Sequence, residues 1–265
     1  MKRPISRLSR QFFARARLSV LAGVFGLAGL MPISTAHAAP AALDAVLAAP
    51  ADATAADVTT RDVAATNEKL RLAFGHMARM WRTELDQIGE RFVTPGLARY
   101  RGAVRTVCGV MSPGNAAYCP RNNTVYFDEL FVAGLAKRAS RQLGTDGDMT
   151  AVGVIAHEMG HAVAMQLGYI SRFPYENEAA ADCLAGAFAL RADEDGSLEP
   201  GDIDESFYGM FTAGDPEPEL TGDGRADRRI LARAALIGHG TYEQRMANFR
   251  HGFDGGPGAC LAALR

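Results

Sequence analysis

Outside its first 38 residues, the sequence has no block of basic residues. That segment holds six Lys and Arg residues and no acidic residue, whereas the whole chain has a formal net charge of −2. Without the segment the net charge falls to −8, because six positive charges and no negative ones are lost. An acidic protein with no basic patch is poorly suited to neutralise phosphates, so nucleic acids and anionic membrane surfaces are not expected as partners.

Long apolar runs are equally scarce. The run at residues 18–30 is too short to span a bilayer comfortably. It follows a basic stretch and precedes Ala36-His37-Ala38, which is the arrangement of a secretory signal peptide. We therefore predict a signal peptide over residues 1–38, cleaved after Ala38, and an exported protein that is periplasmic or secreted. The alternative is an uncleaved inner-membrane anchor formed by residues 18–30. If the signal peptide is cleaved, we expect no stable membrane span in the mature protein.

Large apolar side chains are also few between residues 39 and 66, where Ala, Thr, Asp and Pro dominate. Such a segment cannot bury enough apolar surface to order itself, so we predict a flexible leader. Whether the leader acts as a propeptide stays open. The chain as a whole is 48% hydrophobic and 22% charged, which is typical of a globular protein and favours one domain over residues 67–265.

The most informative stretch of this domain is the motif His157-Glu158-Met159-Gly160-His161. On a helix, residues four apart share a face and lie about 6 Å apart along the axis, which suits two nitrogen ligands of one metal ion. Glu158 lies beside the first ligand and can take a proton from a metal-activated water. The flanking residues are apolar or small, which predicts a buried helix.

A second motif, Glu178-Ala-Ala-Ala-Asp182, follows after a connection that contains Gly168 and Pro174. A catalytic zinc site uses three protein ligands and keeps one position open for water, and Glu178 completes a set with the two histidines. Asp182 lies one turn further on, where it can accept the second ring N–H of a liganding histidine. The sequence therefore predicts one Zn²⁺ per chain, bound by His157, His161 and Glu178, with Asp182 in support.

These motifs resemble those of gluzincin-type metallopeptidases, and most closely the neutral zinc metallopeptidase family of bacteria. Three further stretches match that family: Tyr118–Asp128, His239–Arg245, and Phe249–Phe253 with Cys260. The resemblance covers the chain from about residue 67 to its end. The resemblance implies an α+β, zincin-like metallopeptidase fold that is mainly helical, with a small β-sheet beside the active-site helix.

Patterning places other elements around this helix. Apolar spacing predicts a long helix from Asn67 to Phe92, and residues 130–143 predict another. Residues rich in Val, Tyr and Thr at 98–110 and 124–127 predict the sheet, with a tight turn at Asn122-Asn123. By resemblance to zincins, the strand at 124–127 would be the edge that borders the cleft, with an inert edge or internal strand as the alternative.

Two acidic positions are expected to start helices. Asp148 is a candidate N-cap for the active-site helix. The stretch at residues 193–202 partly copies a calcium loop but has Arg191 at its first acidic position. A turn followed by a helix that Asp202 caps, with Glu205 at its third position, is the simpler interpretation.

The four cysteines are Cys108, Cys119, Cys183 and Cys260. An even number in an exported protein argues for disulfides, although four cysteines allow three pairings. Proximity and the family resemblance favour Cys108–Cys119 and Cys183–Cys260. Cys183 as a thiolate ligand is disfavoured, because three other ligands already leave zinc its open position.

The predicted function is a zinc-dependent metallopeptidase that hydrolyses peptide bonds, with Glu158 as general base. One further donor should stabilise the developing oxyanion. His239 is the candidate, and Tyr126, Tyr169 or Tyr175 are alternatives. Two other functions remain open: a non-catalytic, zinc-stabilised binding or assembly protein of the envelope, and a hydrolase of cell-wall peptide amides. We expect a peptide or protein as substrate. The sequence specifies neither which substrate side chains are preferred nor an oligomeric state.

Overall fold

The computed structural model describes residues 57–264. Within this range the chain forms seven helices and five strands in the order α1 (Thr60–Gln87), β1 (Gly96–Tyr100), β2 (Val104–Thr106), β3 (Gly109–Met111), β4 (Ala116–Cys119), β5 (Thr124–Asp128), α2 (Glu129–Leu143), α3 (Asp148–Gln166), α4 (Pro174–Glu194), α5 (Asp202–Ala213), α6 (Gly224–Ile237) and α7 (Tyr242–Ala263). The expected mainly helical α+β architecture is therefore present. The predicted signal peptide, the alternative anchor at 18–30 and the leader up to residue 56 lie outside the described residues.

Helix α1 starts seven residues before the predicted position at Asn67. Thr59 is its N-cap, and a reciprocal capping box joins the Thr59 and Asp62 side chains to each other's backbone N–H groups. Residues 60–66 of the predicted flexible leader are thus helical, and Val63 is buried. The predicted boundary at residue 67 is wrong for this reason. The helix also ends earlier than Phe92, since Gly89 adopts a positive φ of 76° directly after it.

The sheet differs from prediction in its strand order. β5 lies between β1 and β4, parallel to β1 and antiparallel to β4. The strand predicted to border the cleft at 124–127 is therefore internal, and its Val125 and Phe127 are buried. The edge beside the active-site helix is β4. The predicted turn at Asn122-Asn123 joins β4 to β5, with Asn123 at a positive φ of 49°.

Helix α3, which carries the His-Glu-x-x-His motif, is the centre of the core. It packs against α1, α2, α4, α5 and β4. Most of its apolar residues are buried, and Ile155 and Met159 are fully buried among large side chains of the surrounding elements. The hydrophobic core includes Leu70, Phe74, Met77, Trp81, Leu85, Leu184, Met210 and Phe249. Helix α3 is buried on several faces, as its apolar sequence predicts.

Helices α4 and α7 form the most extensive helix pair. Gly252 permits the close approach, since a Cβ atom there would lie 1.8 Å from the carbonyl oxygen of Cys183. The disulfide Cys183–Cys260 joins the same two helices, and Cys108–Cys119 joins the β2–β3 hairpin to β4. Both pairings agree with the prediction. Among residues 57–264, no helix combines the length and apolar character that crossing a bilayer requires.

Two predicted helix caps are wrong. Gly147, with a φ of 81°, is the N-cap of α3, and Gly201, with a φ of 106°, is the N-cap of α5. Asp148 and Asp202 are instead the first residues of these helices. Residues 195–201 connect α4 to α5 through turns, as the simpler interpretation expected, and Asp195 there pairs with His76 at 2.8 Å.

Candidate metal centre

Helices α3 and α4 bring the three predicted zinc ligands together. One ligand atom from each of His157, His161 and Glu178 lies within 4.8 Å of the others. The Nε2 atom of His157 is 3.1 Å from one carboxylate oxygen of Glu178, and Nε2 of His161 is 3.5 Å from the other. The two imidazole rings meet edge to face with centroids 4.6 Å apart. The arrangement presents two imidazole nitrogens and one carboxylate to a common point.

This convergence depends on close packing between the two helices. Gly160 faces Ala181 of α4, and a Cβ atom at position 160 would lie 2.7 Å from the Ala181 carbonyl oxygen. Real Cβ atoms essentially never approach an oxygen so closely. A side chain at 160 would therefore separate the helix that carries both histidines from the helix that carries Glu178.

Asp182 makes the hydrogen bond that the sequence predicted. Its Oδ1 atom lies 2.8 Å from Nδ1 of His157 and is fully buried. With a metal bound at Nε2, this contact would keep the proton of the ring on Nδ1. Arg245 donates to the same Asp182 oxygen at 2.8 Å and reaches Glu178 at 3.4 Å. The buried guanidinium of Arg245 therefore offsets part of the negative charge of Asp182 and Glu178.

The electrostatic balance of this cluster favours a positive charge between the ligands. Burial lowers the pKa of His157, but its hydrogen bonds to Asp182 and Glu178 outweigh burial and raise that pKa to about 9. Burial raises the pKa of Glu178, but its contacts with His157 and His161 outweigh burial and hold that pKa far below its usual range. The metal-free site therefore holds its positive charge as a proton on His157, and a metal ion would have to displace that proton.

Glu158 is held apart from the ligand atoms by strand β4. Its Oε2 atom accepts a hydrogen bond from the backbone N–H of Tyr118 at 2.7 Å. The side chain is buried and lines the same cleft of about 440 Å³ as His157 and His161. The Glu158 carboxylate is thereby fixed next to the three candidate ligands without being one of them.

A family model described as "Putative neutral zinc metallopeptidase" matches residues 15–262. The chain belongs to this family. The family assignment confirms the resemblance that the two motifs indicated, and it makes zinc the metal that the His157, His161 and Glu178 cluster suggests.

Relatives of this chain occur in Escherichia coli and in two Mycobacterium species. "Uncharacterized protein YpfJ" of Escherichia coli is 32% identical over 200 residues, covering 68% of this chain and 65% of the relative. "Uncharacterized protein Mb2605" of Mycobacterium bovis and "Uncharacterized protein Rv2575" of Mycobacterium tuberculosis are each 29% identical over 192 residues, covering 64% of this chain and 62% of the relative. The chain thus spans less than two thirds of the length of each of these relatives. No solved structure matches.

The residues present fit the zinc ion that the family name implies. Two neutral imidazole nitrogens and one carboxylate are an established catalytic zinc set. The Nδ1 atom of His157 is already occupied by Asp182, so Nε2 remains for the metal. The ligands also line an open cleft rather than a closed cavity, which leaves room for water and substrate.

His239, the predicted oxyanion donor, lines this cleft together with the candidate ligands. It is exposed at the rim, and its backbone N–H donates to Asp215 at 2.7 Å. Of the tyrosine alternatives, Tyr175 lines a separate groove and packs beside Gly240. Tyr126 forms a hydrogen bond with Asn122. Tyr169 does not line the cleft either, so His239 is the one of these four candidates that does.

Sequence reasoning gave Arg245 no role, although it ends the stretch His239–Arg245 that carried part of the resemblance. An arginine is rarely buried without a charged partner. An arginine within a segment that matches the family is therefore a sequence signal for a buried ion pair. Its partners could not be read from the sequence, because Asp182 lies 63 residues away and His157 lies 88 residues away.

Proposed function

We propose that this protein is a zinc-dependent endopeptidase of the zincin-like type that acts outside the bacterial cytoplasm. The observation that carries the proposal is Glu158, a carboxylate held by β4 next to the His157, His161 and Glu178 set in an open cleft. A protein that used zinc only for stability would need the three ligands but would have no physical need for this group.

In the proposed reaction, His157, His161 and Glu178 hold the zinc ion. Zinc, when bound, lowers the pKa of its water to about 7 and polarises a peptide carbonyl. Glu158 accepts the proton of the attacking water and passes it to the leaving amine. The Tyr118 N–H keeps this carboxylate aimed into the cleft, and Asp182 keeps His157 in the tautomer that can bind metal.

The cleft also supports an extended peptide as substrate. Strand β4 is at the edge of its sheet, and residues 115–118 line the cleft. An edge strand offers free backbone groups to which a second extended chain can pair. Val154, Met165 and Met210 supply an apolar part of the wall. His239 would donate to the developing oxyanion from the rim.

Export is proposed on separate grounds. Residues 57–264 contain the disulfides Cys108–Cys119 and Cys183–Cys260, and disulfides persist in oxidising compartments. The basic and apolar pattern of residues 1–38 supplies a route. A periplasmic or secreted endopeptidase accounts for both features, and the leader at residues 39–56 is a candidate prosegment.

The experiment is a zinc titration of protein that starts at Ala39 and has been freed of metal with a chelator. Cleavage of denatured casein and of cell-wall stem peptides is followed as zinc is added. We expect cleavage of casein to reach its maximum at about one zinc per chain. Cleavage of the cell-wall peptides alone would favour the amide hydrolase, and zinc binding with no cleavage of either would favour the binding protein.

A further inference from the structure

A second group of potential metal ligands lies away from the cleft, where the chain enters α3 and α5. One oxygen from each of Asp146, Asp148, Asp202 and Glu205 lies within 4.8 Å of the others. Asp148 precedes His157 by nine residues of helix α3, so the two groups are about 13 Å apart along the helix axis. None of these four carboxylates lines the cleft of the candidate zinc site.

Asp202 carries the observation that distinguishes this group from an ordinary acidic cluster. The residue is 1% exposed, and its Oδ2 atom accepts the backbone N–H of Glu199 at 2.8 Å. Its Oδ1 atom is buried and has no hydrogen-bond partner, and the same holds for Oδ1 of Asp148. A buried carboxylate oxygen without a donor is costly, because it has given up water and gained nothing in return.

Among residues 57–264, one ion pair with a basic side chain reaches this group of four carboxylates. Lys69 lies 2.6 Å from Oδ2 of Asp148, and it faces the other acidic groups as a single positive charge. Glu205 uses both of its oxygens to accept backbone N–H groups, from Gly147 and Met149, each at 2.8 Å. Burial raises the pKa of Asp148 to about 6 and that of Glu205 to about 7, which shows how unfavourable the unshielded charges are.

We propose that Asp146, Asp148, Asp202 and Glu205 bind a calcium ion. All four ligands are carboxylates, which select hard cations over zinc. Calcium accepts irregular sets of oxygen ligands at about 2.3–2.6 Å, whereas magnesium requires near-octahedral geometry at about 2.1 Å. This site differs from the loop at residues 193–202, and it shares only Asp202 with that stretch.

The bound ion would fix the start of α3, the helix that carries His157 and His161. Asp146 and Asp148 belong to the entry of α3, whereas Asp202 and Glu205 belong to the first turn of α5. The ion would therefore join two segments that are more than 50 residues apart in sequence through one set of ligands. The proposal concerns stability and does not depend on peptidase activity.

The test uses full-length mature, zinc-loaded protein that carries Glu158→Gln to prevent self-cleavage. Calcium is removed on a resin that leaves the tightly bound zinc, and calcium chloride is then titrated in a calorimeter. We expect one calcium per chain with a Kd of about 10⁻⁴ to 10⁻³ M, as in extracellular calcium modules. The melting temperature should rise by about 5 °C at 10 mM calcium, and less with magnesium.

Matched variants assign the binding to this site. Asp146→Asn should weaken calcium binding at least tenfold, and it alters an exposed residue that the fold does not need. Asp202→Asn should do the same or more. Asp204→Asn, on the same helix but outside the ligand group, should bind as the parent protein does. No calcium binding by the parent protein at 10 mM, or equal binding by Asp146→Asn, would overturn the proposal. Either result would mean that only Lys69 and the helix N-termini stabilise these carboxylates.

Discussion

The carboxylate of Asp182 lies 2.8 Å from Nδ1 of His157, on the side of the ring opposite the Nε2 atom that faces Glu178. The contact joins residues of α3 and α4. It determines which ring nitrogen is free to bind metal.

Replacing Asp182 should therefore weaken zinc binding. We expect Asp182→Asn to lower zinc affinity by about 10- to 100-fold, because the amide can accept the Nδ1–H but carries no charge to raise ligand basicity. Competition with a chromophoric chelator measures the change. Asp193→Asn, an exposed carboxylate on the same helix, is the control. An unchanged affinity in Asp182→Asn would show that the hydrogen bond does not support the metal.

Arg245 should matter through the charges it offsets. Arg245→Met leaves Asp182 buried without its guanidinium, and breaking a buried pair in this way costs about 3–5 kcal/mol. Adding Asp182→Asn should restore part of the loss, with a coupling of about 1–3 kcal/mol. Denaturant unfolding of metal-free protein measures this cycle without the contribution of zinc. Strictly additive losses would mean that the two residues do not interact.

Gly160 should not tolerate a side chain. Gly160→Ala should push α3 away from Ala181 and reduce both stability and zinc affinity, with a stability loss of about 1–3 kcal/mol from overpacking. Gly153→Ala is the control on the same helix, because a Cβ atom there meets only Met210 at an ordinary 3.8 Å. That variant should be neutral or stabilising by up to about 1 kcal/mol. Equal behaviour of the two variants in thermal unfolding would contradict the close approach.

The active-site motifs were predictable because their geometry is local. Residues four apart must share a helix face, so the spacings from His157 to His161 and from Glu178 to Asp182 determine two ligand faces before any tertiary contact is known. The apolar spacing of α1 likewise identified its buried side. These features follow from the period of a helix and need no knowledge of neighbouring elements.

Other features depended on contacts between distant segments. The position of β5 between β1 and β4 follows from strand pairing that composition does not encode. The early start of α1 follows from the capping box between Thr59 and Asp62, which apolar spacing does not reveal. Asp148 and Asp202 have good capping side chains, yet glycines with positive φ occupy the caps, and the two aspartates face each other within the four-carboxylate group.

The pH dependence of stability should reveal that group. Glu205, with Asp146, Asp148, Asp202 and Lys69 nearby, has its pKa raised by burial from 4.5 to about 7. Between these values the folded protein holds a proton that the unfolded chain has lost, so stability is lost as pH rises through the folded pKa. In zinc-loaded, calcium-free protein the melting temperature should fall between about pH 5 and pH 7.5. Calcium should remove or reverse this slope, and identical slopes with and without calcium would be inconsistent with the cation site.

The role of Glu158 is tested by comparing the wild type with Glu158→Gln, both starting at Ala39 and loaded with zinc. Zinc content and the initial rate of casein cleavage are measured on the same samples. We expect about one zinc per chain in both proteins and a cleavage rate about 10²- to 10⁴-fold lower in the variant, which is the usual contribution of a general base. Cleavage by the variant at the wild-type rate, or no cleavage by zinc-loaded wild type, would contradict a peptidase that uses this carboxylate.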